Sequence, residues 1–241
     1  MKAETRIIPE EVTPRFLAQH LKPYEAISHL VKNKRLLEIG CGDGYGTSYL
    51  AEFAAFASGI DYDAATVETA KSKYRKPNLA FFCMDALKLN FPDNAFDFIC
   101  SFQNIEHIPE NDLAVYLSQI KRVLVPSGTF AVTTLNLAHA CKKAPLRYRK
   151  NPAHCKEFTF KELDALLSDY FLIEKRYGLF QTARHNFFHS LKKSGIFNRF
   201  PERLNPVNIF YKNVTTADFK LSDKRVEKAS DFLMICRNHE K

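Results

Sequence analysis

The chain has 241 residues, 46% of them hydrophobic and 26% charged, with 35 Lys and Arg against 27 Asp and Glu for a formal net charge of +8 at pH 7. That length suits one sizeable domain with a full core, and the apolar content is that of an ordinary globule. Nowhere do roughly 18 consecutive apolar residues occur, and the charged opening Met1-Lys-Ala-Glu-Thr-Arg has no apolar run, so neither a helical membrane span nor a secretory signal is expected and a cytoplasmic location is.

Thr13-Pro14 reads as the N-cap and first residue of an opening helix through about Lys32, with apolar residues at 16, 17, 21, 27, 30 and 31 and a kink at Pro23. Strands and helices then alternate: strand 35–39, helix 46–54, strand 56–61, helix 63–75, strand 79–83, strand 96–102, helix 109–123 and strand 128–135. Alternation of this kind implies a parallel sheet with helices on both faces. Pro109 followed by Glu110 and Asp112 marks a helix start, and Thr159-Phe-Lys-Glu162 is a capping box opening a helix to about Asp169. Two more strand-like runs follow, at 171–177 and 232–236. The segment between them, about 184–229, is rich in Phe, Asn, Lys and Arg and weak in periodicity. It reads as an insertion, a lid or partner surface that a short turn between two antiparallel strands would replace.

Residues 36–46 read Leu-Leu-Glu-Ile-Gly-Cys-Gly-Asp-Gly-Tyr-Gly. A glycine loop between a strand and a helix lets a ligand approach the backbone and face the unpaired N–H groups of a helix N-terminus. The Gly-x-Gly-x-x-Gly dinucleotide fingerprint fails in every register, because its last glycine would fall on Tyr45, Thr47 or Tyr49. Asp61 ends the next strand-like run, where an acidic side chain takes ribose hydroxyls in nucleotide-binding folds generally. The competing reading for Glu38, Asp61 and Asp85 is strand-end solubility or helix capping.

The run resembles motif I of the class I S-adenosylmethionine-dependent methyltransferases, an acidic residue followed by Gly-x-Gly-x-Gly. The likeness continues through Asp61, through Cys83-Met-Asp-Ala-Leu, through Phe96-Asp-Phe-Ile-Cys-Ser-Phe-Gln-Asn-Ile-Glu-His-Ile and through Val123-Leu-Val-Pro-Ser-Gly-Thr-Phe. It implies an α/β, Rossmann-like seven-stranded sheet, mostly parallel with an antiparallel last strand. It also implies a single domain over 1–241, with a cofactor core near 33–136 and an acceptor part near 137–241. The cofactor implied is S-adenosyl-L-methionine, held by Glu38, Gly40, Cys41, Gly42, Gly44, Asp61, Tyr62, Asp85, Ala86 and Phe102. In this reading Asp61 takes both ribose hydroxyls and Asp85 reaches the adenine amino group.

Asn151-Pro-Ala-His-Cys-Lys-Glu-Phe-Thr is similar to a segment of type 11-like methyltransferases encoded with glycan-assembly enzymes, and Arg6-Ile-Ile-Pro, His20 and Tyr24 resemble that subgroup's N-terminal pattern. His154 and His107 are the candidate general bases, each weighed against a role fastening its own loop. No Asn/Asp-Pro-Pro-Tyr/Phe block follows the fourth strand, which argues against methylation of nucleobases or glutamine amides.

Residues 137–241 carry 21 Lys and Arg against 11 Asp and Glu, whereas residues 1–136 carry 14 against 16. The basic half suggests an anionic partner, or only a solvated surface. The leading expectation is methyl transfer to a small-molecule or glycan hydroxyl. The alternatives are a lipid-linked or prenylated acceptor at an anionic membrane surface, supported by Phe187, Phe188, Phe197, Phe200, Phe210 and Tyr211, and a non-catalytic RNA- or protein-binding module. A nucleic-acid partner is not favoured, and oligomeric state is left open. Six cysteines without Cys-x-x-Cys pairing are expected to be buried free thiols, with no disulfide and no metal site.

Overall fold

The computed structural model describes residues 7–143 and 148–239. Arg6, and the residues before it, lie outside that range. The opening helix α1 spans Pro14–Ile27, with the Thr13 hydroxyl accepting from the Phe16 N–H at 3.3 Å. It stops earlier than the apolar spacing suggests. The Ser28 hydroxyl bonds back to the Glu25 carbonyl and Asn33 adopts φ 57°, so Leu30 and Val31 are carried inward by a turn instead of a helix.

Strand β1 (Arg35–Ile39) leads through the glycine loop into α2 (Tyr45–Leu50), then β2 (Phe56–Asp61), α3 (Ala64–Lys73), β3 (Leu79–Cys83) and β4 (Phe96–Phe102). After a 3-10 turn at Ile105–His107 come α4 (Leu113–Val123), β5 (Leu124–Leu135), α5 (Leu137–Lys143) and α6 (Phe160–Ser168). The Thr159–Glu162 capping box opens α6. The chain closes with β6 (Leu172–Gln181), α7 (Ala183–Ser194), α8 (Pro206–Lys212), β7 (Phe219–Ser222) and β8 (Asp231–Arg237).

The sheet has eight strands in the order β3-β2-β1-β4-β5-β8-β6-β7. Strands β1 to β5 pair in parallel, while β8 runs antiparallel to both β5 and β6. The seven-strand expectation is short by one, because the insertion supplies β7, an edge strand antiparallel to β6. At four residues, Phe219–Ser222 is too short to show a period of its own.

Alternation along β1 divides the core. Leu37 and Ile39 join the cluster under α4 and α6, whereas Leu36 joins the cluster under α1 and α2. Both faces are covered, so the central strands read as nearly continuous apolar runs. A third cluster ties the insertion to the main body: Phe210, Val214 and Phe219 pack with Ala18 of α1 and Leu179 of β6. The insertion therefore shares a hydrophobic cluster with the main body. Phe210 is buried and Phe188 packs against it, which corrects their assignment to an outer aromatic surface; Phe187 and Phe200 remain exposed. All six cysteines are free, but Cys83 and Cys155 are exposed and only Cys41, Cys100 and Cys236 are buried.

Candidate functional site

The chain reverses its strand order between β1 and β4, and the crevice above their carboxyl ends is where open α/β sheets bind ligands. Three adjoining cavities occupy it. One of about 500 Å³ is lined by Gly40, Gly42, Asp61, Tyr62, Asp85 and Ala86, with His107 on its far wall. A tight cavity of about 80 Å³ shares Gly40, Gly42 and Gln103 with the first and adds Cys41, Tyr24 and Phe102. An outer chamber of about 700 Å³ shares Gln19, Leu179 and Asp231 with the tight one and is lined by His154, Glu157, Arg15, Arg149 and Lys228.

The glycine loop owes its path to left-handed backbone at Gly40 (φ 75°), Gly42 (φ 53°) and Gly44 (φ 86°). A side-chain carbon added at Gly42, which lines two of the cavities, would meet nothing within 4 Å, whereas one at Gly44 would strike Phe81 at 2.8 Å. Asp61 accepts the Gly42 N–H at 3.1 Å through Oδ2 and the Asp63 N–H at 3.0 Å through Oδ1, tying the loop to the end of β2. Asp85 accepts the Leu87 N–H at 2.8 Å, which orients its carboxylate beside Ala86 on the cavity wall.

Glu38 and Gly44 stand apart from the other predicted cofactor residues, since neither lines any of the three cavities. Glu38 is 1% exposed beneath the loop, where its two oxygens accept from Tyr24 and Thr47, each at 2.5 Å. Burial pushes its carboxyl up to about 7, and burial likewise raises the Tyr24 hydroxyl and the Cys41 thiol. Glu38 is a strut between α1, β1 and α2. Phe102 packs edge-on against Tyr24 with ring centroids 4.8 Å apart, closing the floor of the tight cavity.

The two candidate bases meet. The His107 and His154 rings lie 5.0 Å apart at 81°. His107 Nδ1 sits 2.9 Å from the Ala153 carbonyl and His154 Nδ1 sits 2.6 Å from Glu157 Oε1. Burial lowers the His107 pKa. The other Glu157 oxygen accepts the Tyr148 hydroxyl. Glu106 is buried next to them, accepts the Thr134 hydroxyl at 2.9 Å, and is pushed by burial up to about 8. One ligand atom from each of Glu106, His107 and His154 lies within 4.8 Å of the others.

Sequence reasoning missed Gln103, Glu157 and Asp231. Gln103 lies on the wall common to two cavities with φ 51°, a conformation that only the fold reveals. Asp231 accepts from Gln19 at 2.7 Å across 212 residues, and no local pattern could join them. Glu157 was visible three residues after His154, and that spacing was the available signal.

Residues 37–132 match the methyltransferase domain family. A Mycolicibacterium smegmatis protein named a probable S-adenosylmethionine-dependent methyltransferase is 34% identical over 168 residues, 68% of this chain and 62% of that one. A fatty-acid O-methyltransferase of the same organism is 36% identical over 105 residues, 43% of this chain and 38% of the relative. The chain thus spans less than two thirds of the curated relatives it matches. Among solved structures, the N-methyltransferase NodS of Bradyrhizobium japonicum superposes with a TM-score of 0.60 at 15% identity, covering 94% of this chain and 98% of that one. The cyclase SpnF does so with 0.62 at 20% identity, covering 98% and 86%. At such identities the likeness is one of fold, and a fold alone does not assign chemistry. The strand order and the glycine loop thus frame a segment, residues 37–132, that matches the methyltransferase domain family and is similar to relatives named as probable S-adenosylmethionine-dependent methyltransferases.

Proposed function

We propose that the protein uses S-adenosyl-L-methionine to methylate an oxygen of a small-molecule or lipid acceptor. The observation that carries this reading is the pairing of Gly42, which lines both the tight and the 500 Å³ cavities and has open space where a side chain would stand, with Asp61, whose carboxylate stands at the end of β2 on the wall of the larger one. These residues fit the cofactor: Asp61 would take the ribose hydroxyls, Asp85 and Ala86 the adenine edge, and the Gly40–Gly42 backbone the link toward the tight cavity. When bound there, the cofactor supplies a methyl group already activated on a sulfonium.

The protein's own work is then to position the acceptor and exclude water. The acceptor oxygen would enter from the outer chamber through the neck at Gln19, Leu179 and Asp231. Its electron pair would form the bond to the methyl carbon as the carbon–sulfur bond breaks; a hydroxyl's proton would leave toward the His107–His154 side of the crevice, and a carboxylate has none to lose. Two observations favour an acidic or lipid acceptor over a glycan. The outer chamber carries Arg15, Lys142, Arg149 and Lys228 against Glu157 and Asp231, and relatives are named for a fatty acid and for phthiotriol/phenolphthiotriol dimycocerosates. Calorimetric titration should give one equivalent of S-adenosylmethionine bound, and labelled-methyl transfer should be seen to fatty acids or hydroxylated lipids. Absence of cofactor binding would overturn the reading; binding with transfer only to free sugars would overturn the choice of acceptor.

A further inference from the structure

Glu106 and His107 lie on the 3-10 turn that follows β4, and His154 arrives from the segment between α5 and α6. A carbonyl oxygen can only accept, so the His107 contact at 2.9 Å to Ala153 places the proton of that ring on Nδ1. The His154 contact with the buried Glu157 carboxylate places its proton on Nδ1 as well, and Glu157 is itself held by Tyr148. In its neutral form each ring then offers the lone pair of Nε2. An imidazole bonded through its other nitrogen to a carbonyl or carboxylate is the outer-shell arrangement that orients metal-ligating histidines. Glu106 stands beside them, buried, and no Lys or Arg among the described residues pairs with it.

We propose that Glu106, His107 and His154 form a binding site for a single divalent first-row cation at the junction of the cofactor cavity and the acceptor chamber. Two imidazoles and one carboxylate suit Zn²⁺, Mn²⁺, Fe²⁺ or Co²⁺ better than Mg²⁺, which prefers an all-oxygen shell. His107 faces the cavity that holds Asp61 and Asp85, and His154 faces the outer chamber. A cation held by three protein atoms keeps coordination positions open between those two spaces. An acceptor hydroxyl or carboxylate occupying one of them is fixed in place, and a hydroxyl there gives up its proton more readily. Binding of the cation stands independently of the methyltransferase reading; only its service to the acceptor oxygen rests on it.

The alternative is a cluster that only fastens the 148–159 segment to the turn after β4. To separate the two, the full-length protein is stripped with chelator and titrated with Zn²⁺ by calorimetry and with Co²⁺ by visible absorption. The proposal expects one equivalent bound, a Co²⁺ ligand-field band, and a loss of affinity of about 100-fold or more in Glu106→Gln and His154→Ala. Glu157→Gln, which removes only the outer-shell carboxylate, should weaken binding about 10–100-fold. S-adenosylmethionine titration of the same variants should be unchanged, which keeps failure here distinct from failure of the methyltransferase reading. No saturable binding by the stripped wild-type protein, or binding of equal strength in Glu106→Gln and His154→Ala, overturns the site.

Discussion

The crevice proposed for the cofactor and the chamber proposed for the acceptor are built by different rules. In the first, nearly all wall residues sit at the end of a strand or in the loop that follows it: Gly40 and Gly42 after β1, Asp61 at the end of β2, Asp85 after β3, Gln103 after β4, with Ala153 of the segment before α6 the exception. Neighbouring parallel strands bring these positions together automatically. In the second, Arg15 comes from α1, His154 and Glu157 from an irregular segment, Gln181 and Asn186 from β6 and α7, and Asp231 from β8. Those positions converge only once α1 and the insertion have packed on the antiparallel side of the sheet. A cofactor site can thus be written in one stretch of chain, while the acceptor site depends on the whole molecule.

The sharpest way to break that comparison is to remove residues 185–228. The deletion takes away β7 and the buried Val207, Phe210, Val214 and Phe219, and it uncovers Ala18 and Leu179. At about 1.5–3 kcal/mol for each large apolar side chain, the loss rivals the 5–15 kcal/mol that typically holds a domain together. Loss of the cooperative unfolding transition is expected. A shortened protein that still melts cooperatively and binds S-adenosylmethionine would show that the cofactor half stands alone.

Asp61→Ala tests the crevice itself. Loss of charge-assisted hydrogen bonds to the ribose should cost about 2–5 kcal/mol of cofactor affinity. Because Asp61 also holds the Gly42 N–H, a smaller drop in melting temperature should accompany it. Unchanged affinity on titration would remove Asp61 from the cofactor site.

Glu38 gives a pH signature from below the loop. Its folded pKa near 7 lies above the ordinary carboxylate value of 4.5, so the folded protein binds that proton more tightly than the unfolded chain. The resulting stabilisation is fully present below about pH 4.5 and is lost as pH rises through 7, an effect on the order of 3 kcal/mol. Denaturant unfolding at pH 5, 6, 7 and 8 should show Glu38→Gln gaining on the wild type as pH rises. A constant difference across that window would mean that Glu38 does not titrate there.

The smallest effect separates space from strain. Gly42→Ala meets no neighbour within 4 Å but must hold φ 53°, so it should lower stability by only about 1–2 kcal/mol while weakening cofactor binding. Gly44→Ala carries the same backbone strain plus overlap with Phe81 at 2.8 Å and Ala70 at 2.9 Å, and should destabilise further without lining the cavity. Equal losses of stability in the two variants would show that backbone strain alone decides.

Signals that act over three or four residues were legible in the chain itself. Thr13 before Pro14, the Thr159–Glu162 capping box and the glycines after β1 each bond or bend within their own turn, and strands 35–39, 56–61, 79–83 and 96–102 stand where their apolar runs end. Composition and spacing, which depend only on neighbours along the chain, were enough to determine a parallel α/β sheet with a ligand loop after its first strand. Tertiary structure alone decided the rest. The eighth strand exists because β6 offers an edge for Phe219–Ser222 to join. Phe210 became core because Ala18 and Leu179 lie opposite it. His107 meets His154 because the segment after α5 folds back over the turn after β4, where the Glu106 carbonyl takes the Cys155 and Lys156 N–H groups at 2.8 and 3.1 Å. Such contacts join residues tens to hundreds of positions apart, and the free energy that selects them belongs to the packed state, which no local pattern of residues encodes.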